Sequence, residues 1–197
     1  MVVFFDIGNV LLRYDSREVA KRIAWALRSH PLKVLRILWA SDLVDAVERG
    51  ALPPDKLFAL FRDELGFEGD FESFRKMWCD HFTLERRNAA LLKSLAARHR
   101  VFLLSNTNAL HYEFIKERYA FARQAHGAVL SYELGLRKPE AAIYEAALKT
   151  AGAKASESVF IDDLEENVRG ARRVGMAAIR NAPGVDLKSE LAKLGVR

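Results

Sequence analysis

Four short polar clusters hold the side chains able to do chemistry. Asp6 stands in Asp6-Ile7-Gly8-Asn9-Val10, directly after the apolar run Val2–Phe5. A carboxylate at the end of a rigid element is held at a fixed point, and Gly8 lets the backbone turn tightly and approach a ligand. The plainer reading is an aspartate that caps a turn. Ser105-Asn106-Thr107-Asn108 follow Val101–Leu104. Small hydroxyls, amides and free backbone N–H groups suit an anion, although the same residues also cap helices. In Lys138-Pro139-Glu140 the proline suits the first position of a helix. The pattern therefore predicts Lys138 at a helix N-terminus, where its charge opposes the helix dipole. An anionic ligand resolves that conflict; a solvated lysine is the alternative. Asp162-Asp163 close Val159–Ile161 and precede Glu165, Glu166 and Asn167. Adjacent acids at the end of an apolar strand are costly unless paired or bound to a cation. Oxygen ligands there suit Mg²⁺, while Glu165 and Glu166 also simply favour a helix start.

The elements that position these clusters are legible. Val2–Phe5, Val101–Leu104, Ala128–Leu130, Val159–Ile161 and Met176–Ile179 are short continuous apolar runs, the pattern of strands buried on both faces. Helical patterns precede the second, fourth and fifth, and a last short helix is expected over Leu187–Leu194. Strand–helix alternation predicts an α/β fold with a parallel sheet, and ligands bind such sheets beyond the carboxyl ends of the strands. Residues 14–84 differ, with apolar residues at helical spacing broken at Gly50, Pro53-Pro54 and Gly66. Their 71 residues exceed an ordinary crossover. We expect an inserted helical cap at 14–84 and a core of 1–13 plus 85–197. Within the cap, Trp39, Asp42, Asp45 and Glu48 are placed to face a substrate, but a core tryptophan and a solvated acidic face is the favoured reading.

Composition excludes several classes. The 197 residues are 50% hydrophobic and 29% charged, ordinary for a soluble globular chain. The lone Cys79 forms no intramolecular disulfide and no thiolate zinc cluster. The five histidines lack metal-ligand spacing and read as structural or surface. Asp6 interrupts the N-terminal apolar run and no cation precedes it, so neither a signal peptide nor a spanning segment is expected. A cytoplasmic protein, with no membrane association, follows as the expectation. The net charge of +5 admits nucleic acid. It is dispersed, however: residues 14–84 carry 11 basic and 12 acidic residues, against 19 and 13 in 85–197. No nucleic-acid motif accompanies it, and no nucleic-acid partner is expected.

The order acid, Ser-Asn-Thr, Lys-Pro, Asp-Asp, each just past a strand, resembles the haloacid dehalogenase-like hydrolases, most of which are Mg²⁺-dependent phosphatases. The resemblance runs from Phe4 to about Ile179. Glu48-Arg49-Gly50 and Gly135-Leu136-Arg137-Lys138-Pro139-Glu140 also suggest the subgroup of glucose-1-phosphate-type sugar phosphatases and the N-terminal phosphatase domain of soluble epoxide hydrolases. It implies a Rossmann-like parallel sheet flanked by helices, with a helical cap. It implies Asp6 as a nucleophile forming an aspartyl-phosphate, and Ser105 and the Asn106 backbone as phosphoryl ligands, with Thr107 behind them. Lys138 would neutralise charge, and Asp6, the Gly8 carbonyl and Asp163 would hold Mg²⁺. Asp162 would be a second ligand or an outer acid, and Asn167 would orient the metal's waters.

One position departs from the commonest pattern. Most phosphatases of the family carry a second aspartate, the general acid, where this chain has Gly8. Either another group replaces it, with Asp15 the first candidate, or the substrate has a good leaving group, or the protein is a slow or non-catalytic phosphate binder. The metal-free dehalogenase branch is opposed by Asp162-Asp163, two carboxylates that would repel the nucleophile without a cation. The resulting expectation is a phosphatase for a small phosphorylated metabolite, a sugar phosphate first among them, acting as monomer or homodimer.

Overall fold

The structure, a computed structural model, describes every residue except Ser41, and for residues 33, 35 and 38–40 the backbone alone. The Trp39 side chain therefore lies outside the described residues. The chain opens with β1 (Val2–Phe5) and the short β2 (Leu12–Arg13). Five helices follow: α1 (Ser16–Ala26), α2 (Pro31–Ala40), α3 (Leu43–Glu48), α4 (Pro54–Asp63) and α5 (Phe71–Cys79). β3 (Thr83–Leu84) leads to α6 (Arg86–Ala96), β4 (Arg100–Ser105), α7 (Ala109–Arg118) and α8 (Phe121–Gln124). Then come β5 (Gly127–Leu130), α9 (Ser131–Leu134), α10 (Ala141–Ala151), β6 (Ser158–Asp162), α11 (Glu165–Arg173), β7 (Ala177–Arg180) and α12 (Leu187–Lys193).

The five apolar runs form one parallel sheet in the order β5-β4-β1-β6-β7. Successive side chains point to opposite faces, so each run feeds two cores. Val3, Phe5, Val101, Leu103, Val159 and Ile161 pack on one side with Leu92, Ile115 and Leu191. Phe4, Phe102, Leu104 and Phe160 pack on the other with Ile143, Tyr144 and Ala171. Phe5 is in register with both Leu103 and Ile161, and the Asp6 N–H donates to the Ile161 carbonyl at 2.9 Å. That register brings the carboxyl ends of β1, β4 and β6 to one level. Connections run outward from β1 to either side, so the three ends meet where the strand order reverses, the usual place for a ligand crevice.

Helices α1–α5 share a third core built on Ile23, Leu57, Phe61, Phe74 and Trp78. Its rings pack edge-on and tilted, save for the stacked Phe74 and Trp78, with Phe61 and Phe74 centroids 5.2 Å apart. Where the chain leaves and rejoins the sheet-bearing part, β2 and β3 pair antiparallel, Leu12 with Leu84 and Arg13 with Thr83. Gly50, at φ +71°, lies so close to α9 that a Cβ would overlap the Tyr132 carbonyl oxygen. Among the described residues no helix is long and apolar enough to cross a membrane.

Candidate active site

Asp6, Lys138 and Asp162 meet at the carboxyl edge of the sheet. The Lys138 Nζ lies 2.8 Å from Asp6 Oδ1 and donates to Asp162 Oδ2 at 2.7 Å and to the Leu104 carbonyl at 3.2 Å. Three acceptors match the three protons of an ammonium. The Lys138 and Asp162 side chains are 1% and 0% exposed. Burial works against the Lys138 charge, yet Asp6 and Asp162 hold its pKa above the ordinary range. Burial pushes the Asp6 carboxyl up to about 7; Lys138 pulls against this and Asp162 adds to it.

Asp162 is fully occupied. Its Oδ1 accepts from the Leu164 N–H at 2.8 Å and from Asn167 Nδ2 at 3.0 Å. Its Oδ2 accepts from Lys138 and from Asn167 Nδ2 at 3.1 Å. Four contacts saturate the four lone-pair positions of a carboxylate. Asn167 thus grips Asp162 through Nδ2, while its Oδ1 is buried without a hydrogen-bond partner among the described residues. Asp163 is half-buried and accepts one hydrogen bond, from Asn9 Nδ2 at 3.2 Å. Burial first, then Asp162, raise its pKa. Oxygens of Asp6, Asp162 and Asp163 all lie within 4.8 Å of one another. Three carboxylates against one ammonium leave a net charge of −2 when all are ionised. An all-oxygen donor set of that charge fits a hard divalent cation such as Mg²⁺.

The loop after β4 borders the same edge. Ser105 ends the strand, buried, its hydroxyl 3.5 Å from the Asn106 carbonyl. The Asn106 side chain turns instead to the main chain of Lys138. Its Oδ1 accepts the Lys138 N–H at 2.9 Å and its Nδ2 donates to the Lys138 carbonyl at 3.0 Å. The Thr107 backbone is held by the buried Ser131, whose Oγ accepts its N–H at 2.9 Å and donates to its carbonyl at 3.0 Å. Asn108 caps α7 through the His111 N–H at 3.0 Å.

Three local expectations are corrected. Lys138 is not at a helix N-terminus: α10 begins at Ala141 with Glu140 as its N-cap, and the Lys138–Pro139 peptide is cis. The Lys138 charge is offset by carboxylates, so no conflict with a helix dipole arises. The tight turn after Asp6 takes its left-handed residue at Asn9 (φ 48°), not at Gly8. Asparagine is among the few residues other than glycine that tolerate this region. Asp42, just before α3, is exposed as expected, but Asp45 and Glu48 are ion-paired rather than simply solvated. Arg137, beside Lys138, pairs with Asp45 at 2.5 Å and with Glu48 at 2.6 Å. Arg49 pairs with Asp45 at 3.0 Å and Glu140 at 2.5 Å. Burial raises the Glu48 pKa, with Arg137 opposing.

Asp15 is exposed and caps α1, accepting the Arg17 N–H at 2.7 Å. Its neighbour Tyr14, which no sequence motif marks, stands closer to the chemistry. A Cβ built on Gly8 would lie 3.4 Å from Tyr14 Cε1 and 4.0 Å from Asp6 Oδ2. The histidines are structural as expected: His111 bonds Trp78 and Asn108, and His81 and His111 pack ring to ring at 5.4 Å. Cys79 is buried, and burial pushes its thiol up to about 12.

The chain is 26% identical to a D-ribitol-5-phosphate phosphatase of Bacteroides thetaiotaomicron, covering 96% of this chain and 95% of the relative. It is also 26% identical to a sesquiterpene phosphatase of Aspergillus oryzae, covering 96% and 94%. A crystal structure of a haloacid dehalogenase family enzyme from Bacteroides thetaiotaomicron, in complex with magnesium and inorganic phosphate, superposes with a TM-score of 0.82 at 24% identity. It covers 96% of this chain and 98% of that one, and so shares the fold. Residues 1–175 match the family model described as haloacid dehalogenase-like hydrolase. With the sheet, the crevice and that match in hand, the chain belongs to the haloacid dehalogenase-like hydrolases.

Proposed function

We propose that this protein is a Mg²⁺-dependent phosphatase that hydrolyses a small phosphorylated metabolite through a phosphoryl-aspartate at Asp6. The observation that carries the reading is the buried Lys138 ammonium between Asp6 and Asp162, with Asp163 alongside. Lys138 consumes one Asp6 oxygen and leaves Oδ2 toward the crevice as the attacking atom. Phosphoryl transfer asks mainly for positioning and for positive charge around the transferring oxygens. Lys138 supplies charge, and the Ser105 hydroxyl with the Asn106 N–H supplies donors. Asp6, Asp163 and the Gly8 carbonyl would hold Mg²⁺, which when bound neutralises phosphoryl charge. The saturated Asp162 orients Lys138 from behind. After transfer the alcohol departs, and water attacks the phosphoryl group to regenerate the Asp6 carboxylate.

We assign residues 14–84 to a cap and the remainder to a catalytic core. The separate apolar cluster of α1–α5 and the paired β2 and β3 support that division. Glu48 of the cap and Arg137 of the core bring polar groups to the edge of the site, which suits a hydroxylated substrate such as a sugar or polyol phosphate. A buried free thiol fits a reducing compartment such as the cytoplasm. The test is hydrolysis of p-nitrophenyl phosphate followed by a panel of polyol, sugar and isoprenoid phosphates. Activity that needs Mg²⁺ and disappears in Asp6→Asn supports the reading; turnover retained by Asp6→Asn overturns it.

A further inference from the structure

Gly8 leaves the site without a side chain to assist the departing alcohol, and the space it leaves is occupied from elsewhere. Two groups bound the point where a Gly8 Cβ would stand: Asp6 Oδ2 at 4.0 Å and Tyr14 Cε1 at 3.4 Å. The first is the Asp6 oxygen that Lys138 does not take. The second is the ring carbon next to the one bearing the hydroxyl. We propose that the Tyr14 hydroxyl is the hydrogen-bond donor to the leaving-group oxygen, standing in for the side chain that Gly8 lacks.

Several observations converge on it. The ring is held rather than free: it packs edge-on against His81 and Phe82, at 6.3 and 6.2 Å, and the Tyr14 N–H donates to Asn9 Oδ1 at 3.4 Å. Tyr14 immediately follows β2, so the pairing that anchors the cap also anchors the ring. Its hydroxyl has no hydrogen-bond partner among the described residues, and the residue is 43% exposed, open to a bound substrate. The rival groups are committed elsewhere. Asp15 caps α1 and Glu48 pairs with Arg137.

The step balances without a further reactant. The Asp6 oxygen forms a bond to phosphorus as the bond from phosphorus to the leaving oxygen breaks. The leaving oxygen keeps the electron pair, stabilised by the Tyr14 O–H, and takes its proton from solvent water. Hydrolysis of the phosphoryl-aspartate then completes the consumption of one water. A hydrogen bond to a charged oxygen is worth roughly tenfold to a hundredfold in rate. It matters most where the leaving alkoxide is most basic.

The inference rests on the phosphatase reading above, and its test separates the two. Wild type and Tyr14→Phe are assayed on p-nitrophenyl phosphate and on a simple alkyl phosphate, with melting temperature as a control on the fold. Phenylalanine keeps the ring packing and removes only the O–H. We expect kcat/KM on the alkyl phosphate to fall roughly tenfold to a hundredfold, and far less on p-nitrophenyl phosphate, whose leaving group needs little help. Adding Gly8→Asp to Tyr14→Phe restores the alkyl phosphate rate, since the Cβ meets only van der Waals contacts. Equal losses on both substrates, or no loss on either, overturn the role of Tyr14 and leave the phosphatase reading intact. A wild type that hydrolyses neither overturns both.

Discussion

The carboxamide of Asn106 closes on both backbone polar groups of Lys138, accepting the N–H at 2.9 Å and donating to the carbonyl at 3.0 Å. Lysine is a flexible side chain, and its aim at two carboxylates depends on where its main chain stands. One residue after β4 therefore fixes the turn before α10.

Replacing that residue tests the clamp. Asn106→Ala removes both hydrogen bonds, so stability is expected to fall by about 1–2 kcal/mol at about 1 kcal/mol each. Small displacements of a catalytic group cost up to about a hundredfold. Turnover is therefore expected to fall well beyond what the stability loss implies. Urea denaturation and steady-state kinetics on one preparation measure both.

Lys138→Met strips the cation from two buried carboxylates. Breaking a buried ion pair by removing one partner costs about 3–5 kcal/mol, and phosphatase turnover should be abolished. Added Mg²⁺ should recover part of the lost stability by supplying positive charge to Asp6 and Asp163. Thermal denaturation with and without Mg²⁺ measures this.

Asp163→Asn separates metal binding from folding. Asp163 is half-buried and accepts one hydrogen bond from Asn9, so the fold should survive the change. Loss of one of the two accessible carboxylates should weaken Mg²⁺ by at least about tenfold, the lower end for a change in a metal's surroundings. Mg²⁺ titration of activity checks it, and EDTA should silence the wild type reversibly.

His111 gives a pH dependence of known sign. Burial, then His81, depress its pKa from 6.5 to about 3, and its Nε2 sits 3.1 Å from the Trp78 carbonyl. Below pH 6.5 the unfolded chain takes up a proton that folded His111 refuses. Stability contributed by the neutral ring is thus present above pH 6.5 and lost as pH falls toward 3. His81, lowered to about 4 mainly by burial, acts in the same direction. His111→Gln should flatten the acid limb of a urea-midpoint profile. An unchanged limb would place the acid sensitivity elsewhere.

The elements are readable because their signals are local. Val2–Phe5 and Val159–Ile161 announce buried strands by composition alone, and the acid that ends each is visible at once. Parallel register then brings Asp6, Ser105 and Asp162 together with no further information. What escapes the sequence depends on partners distant along the chain. Arg137 reaches Asp45 across 92 positions, and nothing near either residue advertises the pair. Spacing alone puts Asn167 one helical turn past Asp163, but its grip on Asp162 depends on how α11 leaves β6. Pro139 reads as a helix starter by propensity, yet it lies in the turn before α10. Tyr14 carries no motif, and its position matters only because Gly8 has no side chain.

The pairing of Leu12 with Leu84 has an evolutionary consequence. Paired strands stand about 4.8 Å apart, so the chain leaves the sheet-bearing part and returns to it through adjoining positions. For a flexible connection, each doubling of length adds only about 0.6 kcal/mol to the entropy of closure. Closure entropy alone therefore sets little limit on the length of chain between those two residues. If residues 14–84 are a cap, its length can change while its ends return to the same clasp, provided that Tyr14 and the pairs of Asp45 and Glu48 with Arg137 stay in place. On the cap reading, a change of substrate preference can begin in the stretch between those strands while the sheet is inherited unchanged.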